Sequence, residues 1–405
     1  MKETYVIVGA GQAGANAAFA MRKAGFAGRV ILIGEEPVPP YERPPLSKEA
    51  LTAEEAIAPT FVRSEGDYEA CGIELVLGRR ATRVEAVSRT IHLDDGTVLA
   101  FDRLLLTTGG AARRLGCPGA EHVATLRTLA DAARIRASLR GARRVLCIGA
   151  GVIGLEVAAS VAKLGAEVTV LEAGQRVMER CVPPEVSEVI EQLHRQQGVH
   201  LCLEEGLVEV RQTGTGYEAL TAAGSLFAAD LIVAGIGIAR DLALAESAGV
   251  AVDGGIVVNE FGETSVKGIY AAGDVASVFH PLYGRHVRLE NWRHAQNHAI
   301  AVGRTMAAER TAYDEVPSFW TDQFDLHLQV CGFPDEAADM IVRGDLERRD
   351  FVILHLDDSG RLIAATAANR ARDFRIASKL AQTRARIDRV QACDTFVPLQ
   401  RLLAA

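Results

Sequence analysis

Residues 144–159 read RVLCIGAGVIGLEVAA, an apolar run followed by three glycines in the pattern GxGxxG. The run that ends at Ile148 has the β-branched, apolar composition of a buried strand, and the residues after Gly154 favour a helix. A second apolar run, VTVL, ends at Glu172, about 20 residues after the first glycine, as the motif requires. Strand, glycine turn, helix, strand and acid form the complete context of a dinucleotide-binding βαβ unit. The stretch therefore predicts a dinucleotide site.

Each glycine of this motif has a separate task. Gly149 permits the tight turn, Gly151 lets the backbone approach a pyrophosphate, and Gly154 lets helix and strand pack closely. The N-terminus of the helix supplies N–H donors and a positive dipole to the phosphates. Glu172 is placed to accept hydrogen bonds from a ribose diol and to repel a 2′-phosphate, which favours NADH over NADPH. The nearest basic residue is Arg176.

The same pattern already occurs near the N-terminus, where residues 5–20 read YVIVGAGQAGANAAFA. Gly9, Gly11 and Gly14 follow a strand-like run, and a second strand-like run, RVILI, precedes Glu35. An isolated GxGxxG also arises at strand ends for structural reasons alone. Because the full context recurs here, the sequence predicts two dinucleotide sites in one chain.

A third motif, GIYAAGDVA at residues 268–276, ends a predicted strand in Gly-Asp. Asp274 is suited to bind a polyol hydroxyl such as the ribitol of a flavin, and a simple helix N-cap is the alternative. Residues 104–110 (LLLTTGG) and 231–237 (LIVAGIG) also resemble buried strands that end in glycine.

Composition limits the classes of protein that need to be considered. The chain has 405 residues, 49% of them hydrophobic, which predicts more than one domain. A formal net charge of −8 argues against general nucleic-acid binding. No apolar run reaches the ~18 residues of a membrane span, and no secretory signal is expected at the N-terminus. Seven scattered cysteines without a CxxC favour reduced thiols in the cytoplasm, and no metal site is expected.

Three further stretches carry a family resemblance: YERPPLSK at 41–48, ENWRHAQNHA at 290–299 and FWTDQ at 319–323. With the two fingerprints and the GIYAAGDVA motif, they resemble the two-dinucleotide-binding flavoproteins, and among these the NADH:ferredoxin reductases of bacterial oxygenase systems. The resemblance covers almost the whole chain. It implies a glutathione-reductase-like α/β fold with two Rossmann-type domains and a small α+β C-terminal domain. The implied domains are 1–112 with 240–316 for FAD, 113–239 for NADH, and 317–405 at the C-terminus.

The resemblance assigns the first fingerprint to FAD and the second to NADH. It places the adenosine ribose of FAD at Glu35, the adenine at Ala81, the ribitol at Asp274, and Lys48 close to the flavin ring. The full set implied for FAD is Gly9, Gly11, Ala13, Gly14, Glu35, Arg43, Lys48, Ala81, Thr108, Gly109, Arg127, Asp274, Trp292 and Trp320. The set for NADH is Gly149, Gly151, Val152, Ile153, Gly154, Glu156, Glu172 and Gly237.

Two features of the sequence depart from the family pattern. Thr107 stands where alanine is commoner, and residues 239–241 read ARD where Pro-Asn is frequent. The first change is conservative for a backbone contact. The second leaves any cofactor contact of this loop open.

Lys48 and Glu156 are the candidate catalytic residues. A lysine near the flavin ring would favour electron density on the reduced ring, and we expect Lys48 to form an ion pair with Glu156. The alternative for Glu156 is an ordinary solvated acid on a helix. The two tryptophans, Trp292 and Trp320, are predicted to lie beside the flavin, with an ordinary core position as the alternative.

The predicted reaction couples a two-electron donor to a one-electron acceptor. NADH gives a hydride, a [2Fe–2S] ferredoxin takes single electrons, and a flavin can connect the two. Disulfide reductases of this group carry CxxxxC after the first βαβ unit and NADH peroxidases one cysteine, but residues 36–51 contain none. Electrons should therefore pass from the flavin directly to a ferredoxin that feeds a cytochrome P450 monooxygenase or a ring-hydroxylating dioxygenase.

The basic stretch at residues 369–389 is either a solvated helix face or a docking patch for an acidic ferredoxin. Two alternative functions stay open from the sequence. One is a rubredoxin reductase or NADH oxidase, and the other is a redox-sensing flavoprotein of the apoptosis-inducing-factor type, which shares RPPLSK. No nucleic-acid or membrane partner is expected, and both a monomer and a homodimer are compatible with the sequence.

Overall fold

The structure is a computed structural model that describes residues 2–53 and 58–402. The chain divides into two compact units, each assembled from three separate segments. The first comprises Met1–Glu42, Pro59–Ala111 and Ile238–Pro317, and the second Arg43–Ala58, Ala112–Gly237 and Ser318–Ala405. The first unit covers most of the predicted FAD domain. The second combines the predicted NADH domain, the C-terminal domain and residues 43–58. The three-domain division stays a prediction, and its terminal residues 1 and 403–405 lie outside the described residues.

A five-stranded parallel sheet forms the core of the first unit. Four of its strands are buried almost throughout, as expected for a parallel sheet that is covered on both faces, and the edge strand Ile73–Leu77 is partly exposed. The helices Gln12–Lys23 and Trp292–Met306 pack against each other on this sheet. In order across the sheet the strands are Ile269–Ala271, Arg103–Leu106, Thr4–Val8, Arg29–Gly34 and Ile73–Leu77.

Smaller elements complete the first unit. Two three-stranded sheets lie outside the core sheet, together with two short helices, Glu65–Ala70 and Ala243–Ser247. One sheet is antiparallel and contains Ala81–Glu85, Thr90–Leu93 and Val98–Ala100; the other is mixed and contains Ile256–Val258, Ala276–His280 and Arg285–Val287.

The second unit contains its own five-stranded parallel sheet, with the second fingerprint at its centre. An antiparallel ribbon of three strands accompanies it, formed by Leu207–Thr213, Gly216–Thr221 and Leu226–Ala229. The strand order of the parallel sheet is His200–Cys202, Glu167–Leu171, Arg144–Ile148, Leu231–Ala234 and Ala124–Thr125. The helices of this part are Glu49–Thr52, Leu129–Leu139, Val152–Lys163 and Pro184–Gln196.

The C-terminal part of the second unit is an antiparallel sheet of five strands covered by the helix Ala371–Gln382. In order across the sheet, its strands are Ser318–Gln323, Leu326–Cys331, Leu362–Ala368, Asp350–Leu356 and Asp339–Asp345. Two parallel sheets and an α+β C-terminal part confirm the predicted fold class.

The basic stretch at residues 369–389, considered from its sequence as a helix face, is not one continuous helix. Ala368 ends a buried strand, the helix ends at Gln382, and a second short helix covers Arg389–Cys393. Arg384 adopts a left-handed backbone with φ 46°, and the chain then returns so that Leu362 donates its N–H to the Ala385 carbonyl, 2.9 Å away. The composition favours a helix throughout, but pairing with the first residue of the central strand Leu362–Ala368 follows its end.

None of the seven cysteines forms a disulfide. Within residues 2–53 and 58–402, no helix is both long enough and apolar enough to cross a membrane.

Candidate dinucleotide sites and a buried polar pair

The first fingerprint forms a tight turn at the carboxyl edge of the first parallel sheet. Gly9 has φ 114°, and a Cβ at this position would lie 2.2 Å from the carbonyl oxygen of Thr107. A Cβ at Gly14 would lie 2.1 Å from the carbonyl oxygen of Gly9. Gly11, in contrast, has no heavy atom of the described residues within 4 Å of the corresponding point. The turn is therefore tightly packed at Gly9 and Gly14 and open above Gly11.

The helix that follows this turn is built to receive an anion. Gln12–Lys23 begins with no side-chain cap and with no acid in its first turn. The first N–H groups of a helix have no partner within the helix and carry the positive end of its dipole. The donors and the open space above Gly11 fit the pyrophosphate of a dinucleotide.

Two other predicted FAD segments meet the first fingerprint. The Thr107 hydroxyl donates to the Gly9 carbonyl at 3.0 Å, and a Cβ at Gly273 would lie 3.0 Å from the Cβ of Ala13. Asp274 lies inside the 3₁₀ helix Gly273–Val275, whose N-cap position is taken by Ala272. The N-cap alternative for Asp274 is therefore wrong, and the residue lies beside the glycine turn.

The remaining FAD candidates of the first unit lie at the ends of strands. Glu35 follows the strand Arg29–Gly34, and its side chain is 70% exposed, with a carboxylate oxygen 3.7 Å from the Arg80 guanidinium. Arg80 also pairs with Asp241, at 3.1 Å. The exposed carboxylate is accessible to a ribose diol. Buried Ala81 begins the strand Ala81–Glu85, and Thr108 and Gly109 follow Arg103–Leu106.

Trp292 begins the helix Trp292–Met306 and is half-buried. The Asn291 side chain caps this helix by accepting the N–H of His294 at 2.8 Å. Burial raises the pKa of Glu42, an effect that a hydrogen bond with Trp292 partly offsets.

A buried histidine cluster lies behind the Gly273 turn, and sequence reasoning missed it. His298 Nδ1 accepts the Gly273 N–H at 3.3 Å, and His294 Nδ1 lies 3.1 Å from the Tyr313 hydroxyl. Burial lowers the pKa of His294 to about 3 and moves the pKa of His298 in the same direction. The available signal was the i, i+4 spacing of the two histidines in ENWRHAQNHA, which places them on one helix face.

Arg240, in the loop that departs from the family pattern, holds the same turn from another side. Its Nε donates to the Asp274 carbonyl at 2.6 Å, and its guanidinium pairs with Glu290, also at 2.6 Å. The ARD sequence thus supplies a cation that ties two predicted FAD segments together. Sequence reasoning left this loop without a role.

The second fingerprint repeats the geometry of the first. Gly149 has φ 95°, and a Cβ on Gly154 would lie 1.9 Å from the Gly149 carbonyl oxygen. At Gly151 the nearest atom is a carbonyl oxygen 3.9 Å away. The helix Val152–Lys163 also begins without a side-chain cap and without an acid in its first turn. The second turn therefore fits the phosphates of a dinucleotide as well as the first does.

Glu172 follows the next strand and is held by two backbone groups. Its Oε2 accepts the Ala150 N–H at 2.6 Å, and its Oε1 accepts the Gly174 N–H at 2.8 Å. A Cβ on Gly174 would lie 2.8 Å from Glu179 Oε2 and 3.3 Å from Glu172 Oε1, so two carboxylates flank this glycine. Arg176 instead donates to the Val182 carbonyl at 2.6 Å. The negative charge disfavours a 2′-phosphate.

The predicted ion pair between Lys48 and Glu156 is confirmed. Lys48 Nζ lies 2.8 Å from Glu156 Oε2, and Glu156 is only 3% exposed, so it is no solvated helix acid. The Ser47 hydroxyl donates to the same oxygen, and the Thr321 hydroxyl donates to Glu156 Oε1 at 2.7 Å. A buried carboxylate is stable when each oxygen has a donor and a cation lies close.

The other candidates of the second unit occupy varied positions. The Arg43 guanidinium donates to the Arg127 carbonyl, and Trp320 lies half-buried on the strand Ser318–Gln323. Gly237 has φ 97° and follows the strand Leu231–Ala234. Contact of Arg43, Lys48, Arg127 and Trp320 with FAD stays a prediction.

Comparison with known proteins adds a family context to these sites. Residues 3–299 match the family model described as pyridine nucleotide-disulphide oxidoreductase, and residues 318–403 match the model described as reductase C-terminal.

Individual relatives and a solved structure match over nearly their whole length. The chain is 37% identical to the ferredoxin–NAD(+) reductase component of the anthranilate 1,2-dioxygenase system of Burkholderia cepacia, covering 99% of both chains. It is 39% identical to the corresponding component of the p-cumate 2,3-dioxygenase system of Pseudomonas putida, covering 98% of this chain and 97% of the relative. A chain in the crystal structure of the covalent putidaredoxin reductase–putidaredoxin complex is similar with a TM-score of 0.94, at 34% identity and with 99% and 98% coverage.

Proposed function

Because the chain belongs to the pyridine nucleotide-disulphide oxidoreductase family, we propose that it is an FAD-dependent NADH:ferredoxin reductase. It oxidises NADH and reduces a [2Fe–2S] ferredoxin that supplies a cytochrome P450 monooxygenase or a ring-hydroxylating dioxygenase. The observation that carries this proposal is the pair of uncapped glycine turns, one in each unit. A hydride donor and its acceptor are both dinucleotides, so one chain needs two such sites.

The overall reaction converts one NADH and two oxidised ferredoxins into NAD⁺, one proton and two reduced ferredoxins. When bound, FAD supplies the exchange between a two-electron donor and a one-electron acceptor. The protein's part is to bind and orient. The turn at Gly9–Gly14 and Asp274 serve the flavin nucleotide, and the turn at Gly149–Gly154 and Glu172 serve the nicotinamide nucleotide.

Lys48 and Glu156 are the residues that we assign nearest to the reaction. Their ion pair keeps an ammonium group fixed in a mostly buried position, where its field is screened less than in water. A preorganised cation favours the arrival of negative charge without reorganising at the moment of reaction. The Glu156 carboxylate fixes the position of the Lys48 ammonium group, and neither group needs to transfer a proton.

The electron acceptor follows from the relatives and from the cysteines. The relatives are named as reductase components of dioxygenase systems, and the similar structure is a complex with putidaredoxin. No cysteine lies in residues 36–51, where a thiol relay would be placed. We therefore propose that electrons pass directly from the flavin to a ferredoxin. The protein is proposed to act in the cytoplasm as a monomer or homodimer.

A basic helix face supports electrostatic docking of the ferredoxin. Arg372, Arg375 and Lys379 are exposed and recur at helical spacing on Ala371–Gln382. Arg370 is instead paired with Asp350, at 2.8 Å. Exposed like charges on one face raise the encounter rate with an acidic partner. The position of the docking surface stays a prediction.

The test is anaerobic turnover of the purified holoprotein with NADH and putidaredoxin as the [2Fe–2S] probe. We expect two putidaredoxins reduced for each NADH oxidised, measured by the visible absorbance of the cluster. NADH consumption that needs oxygen and not putidaredoxin would contradict the proposal in favour of an oxidase. Faster reduction of a rubredoxin would indicate a rubredoxin reductase, and a long-lived complex with NADH that does not turn over would indicate a redox sensor.

A further inference from the structure

The ion pair of Lys48 and Glu156 is the end of a longer chain of hydrogen bonds in the second unit. Gln323 Nε2 donates to the Thr321 hydroxyl at 3.1 Å, and Thr321 donates to Glu156 at 2.7 Å. Gln323 Oε1 in turn lies 2.8 Å from His194 Nε2. Glu156, Thr321, Gln323 and His194 are all buried, with the last three at 0% exposure. Four buried side chains from three segments thus form one connected network.

All the hydrogen bonds in this network point toward the Glu156 carboxylate. An amide oxygen only accepts, so His194 Nε2 must carry a proton and donate to Gln323. Gln323 Nε2 then donates to Thr321, whose single hydroxyl proton is left for Glu156. Hydrogen bonds that are aligned head to tail polarise one another. Each side chain from His194 onward therefore donates to the next one, and the last donor, Thr321, donates to the carboxylate.

The protonation state of His194 agrees with this direction. Burial lowers the pKa of His194 to about 4, while its hydrogen bond with Gln323 has the opposite, smaller effect. Near neutral pH the imidazole is therefore uncharged and has one N–H. His194 Nδ1 is buried and has no hydrogen-bond partner among the described residues, which matches a ring whose proton is on Nε2.

We infer that Thr321, Gln323 and His194 are positioning residues that fix the Glu156 carboxylate and, through it, the Lys48 ammonium group. This inference rests on the proposed function, because the consequence appears in the oxidation of NADH. Ser47 and Thr321 hold different oxygens of the carboxylate, so both are needed to set its plane. Without Thr321, Oε1 becomes a buried acceptor that has lost its donor, and the carboxylate can rotate about its terminal torsion.

The decisive variant is Thr321→Val, which keeps the shape of the side chain and removes only the hydroxyl. We expect the limiting rate of flavin reduction by NADH, measured by stopped-flow absorbance, to fall about tenfold. The dissociation constant of NAD⁺ is expected to stay within about twofold, because the glycine turn and Glu172 are untouched. Thr321→Ser restores the hydroxyl and should recover the rate.

The matched control is Thr366→Val. Thr366 is also a fully buried threonine of the C-terminal sheet, and its hydroxyl lies 3.1 Å from a buried histidine, His355 Nε2, yet it is not connected to Glu156. The control is expected to leave the limiting rate unchanged. Equal slowing by Thr321→Val and Thr366→Val, or no slowing by Thr321→Val, would overturn the inference.

A second measurement does not depend on turnover. Nitrogen-15 NMR of the ring nitrogens of the holoprotein should show His194 as the Nε2–H tautomer at pH 7, and Gln323→Leu should abolish that preference. An Nδ1–H tautomer in the unmodified protein would overturn the network. If NADH does not reduce the flavin of the unmodified protein, the proposed function fails, and the tautomer still decides whether the network exists.

Discussion

Glu156 and Glu172 are two acids of the same βαβ unit, and their surroundings give them different chemistry. Glu156 is buried and surrounded by an ammonium group and two hydroxyls, so its charge serves to hold Lys48. Glu172 is half-buried and accepts two backbone N–H groups, so its charge remains beside the second glycine turn. The difference depends on which neighbours each carboxylate meets.

At the residue scale we predict that Glu172→Gln weakens the preference for NADH. The amide keeps the size of the side chain and removes the charge that repels a 2′-phosphate. The ratio of kcat/KM for NADH over NADPH should fall about tenfold, and adding Glu179→Gln should lower it further. Steady-state kinetics with both coenzymes measure the ratio. Glu188→Gln, on the exposed face of Pro184–Gln196, is the control. An unchanged ratio in the double variant would refute an electrostatic origin.

At the scale of elements, the helix Trp292–Met306 carries two buried, uncharged histidines, a property that its sequence only partly indicates. The helix buries His294 and His298 against Tyr313 and supports the Gly273 turn through a side-chain nitrogen. The two histidines are spaced to share a helix face, but periodicity does not say that the face is buried and uncharged. That property comes from the elements packed against it.

We predict that acid destabilises this element. Because burial lowers the pKa of His294 to about 3, the unfolded chain binds the proton first, below about pH 6.5. Stability should therefore fall as the pH falls from 6.5 toward the folded-state pKa, by about 1.4 kcal/mol per pH unit for such a histidine. Urea unfolding of the holoprotein, followed by flavin fluorescence at pH 7.5, 6 and 5, measures the slope. His294→Gln should reduce it and His286→Gln, an exposed position, should not. Equal slopes in all three proteins would contradict the prediction.

At the scale of the whole molecule, the chain builds each of its two units from three separate segments. The predicted FAD residues Arg43, Lys48, Arg127 and Trp320 belong to the second unit, and the others to the first. A ligand that binds only the folded chain at the first glycine turn should contribute to stability as well as to chemistry.

Removal of FAD is expected to lower the melting temperature, and added FAD should restore it. A ligand that binds only the folded state at 100 times its dissociation constant stabilises by about 2.7 kcal/mol. Differential scanning calorimetry of the apoprotein, with and without FAD, measures the effect. In Gly11→Ala the added Cβ meets no described atom within 4 Å, so the apoprotein should melt normally, whereas FAD should bind more weakly. Identical melting of the apoprotein and the FAD-reconstituted protein would contradict the prediction.

The amino-acid sequence by itself determined both βαβ units, the turns at Gly9 and Gly149, the acids at their ends and the α/β class. These features are local, because a tight turn and a close backbone approach admit only a residue without a Cβ. The family resemblance added the Lys48–Glu156 pair, whose role in the reaction stays a prediction.

Only the tertiary structure decided the partners of the buried groups. Glu156 meets Ser47 across 109 residues of chain and Thr321 across 165 residues, and Arg240 reaches the Asp274 turn from a loop with no local signal. Tertiary packing also decided that the C-terminal helix ends at Gln382, where the composition favoured a longer helix. Hydrogen bonds between distant segments depend on how sheets and helices pack, and no local spacing in the sequence encodes that packing.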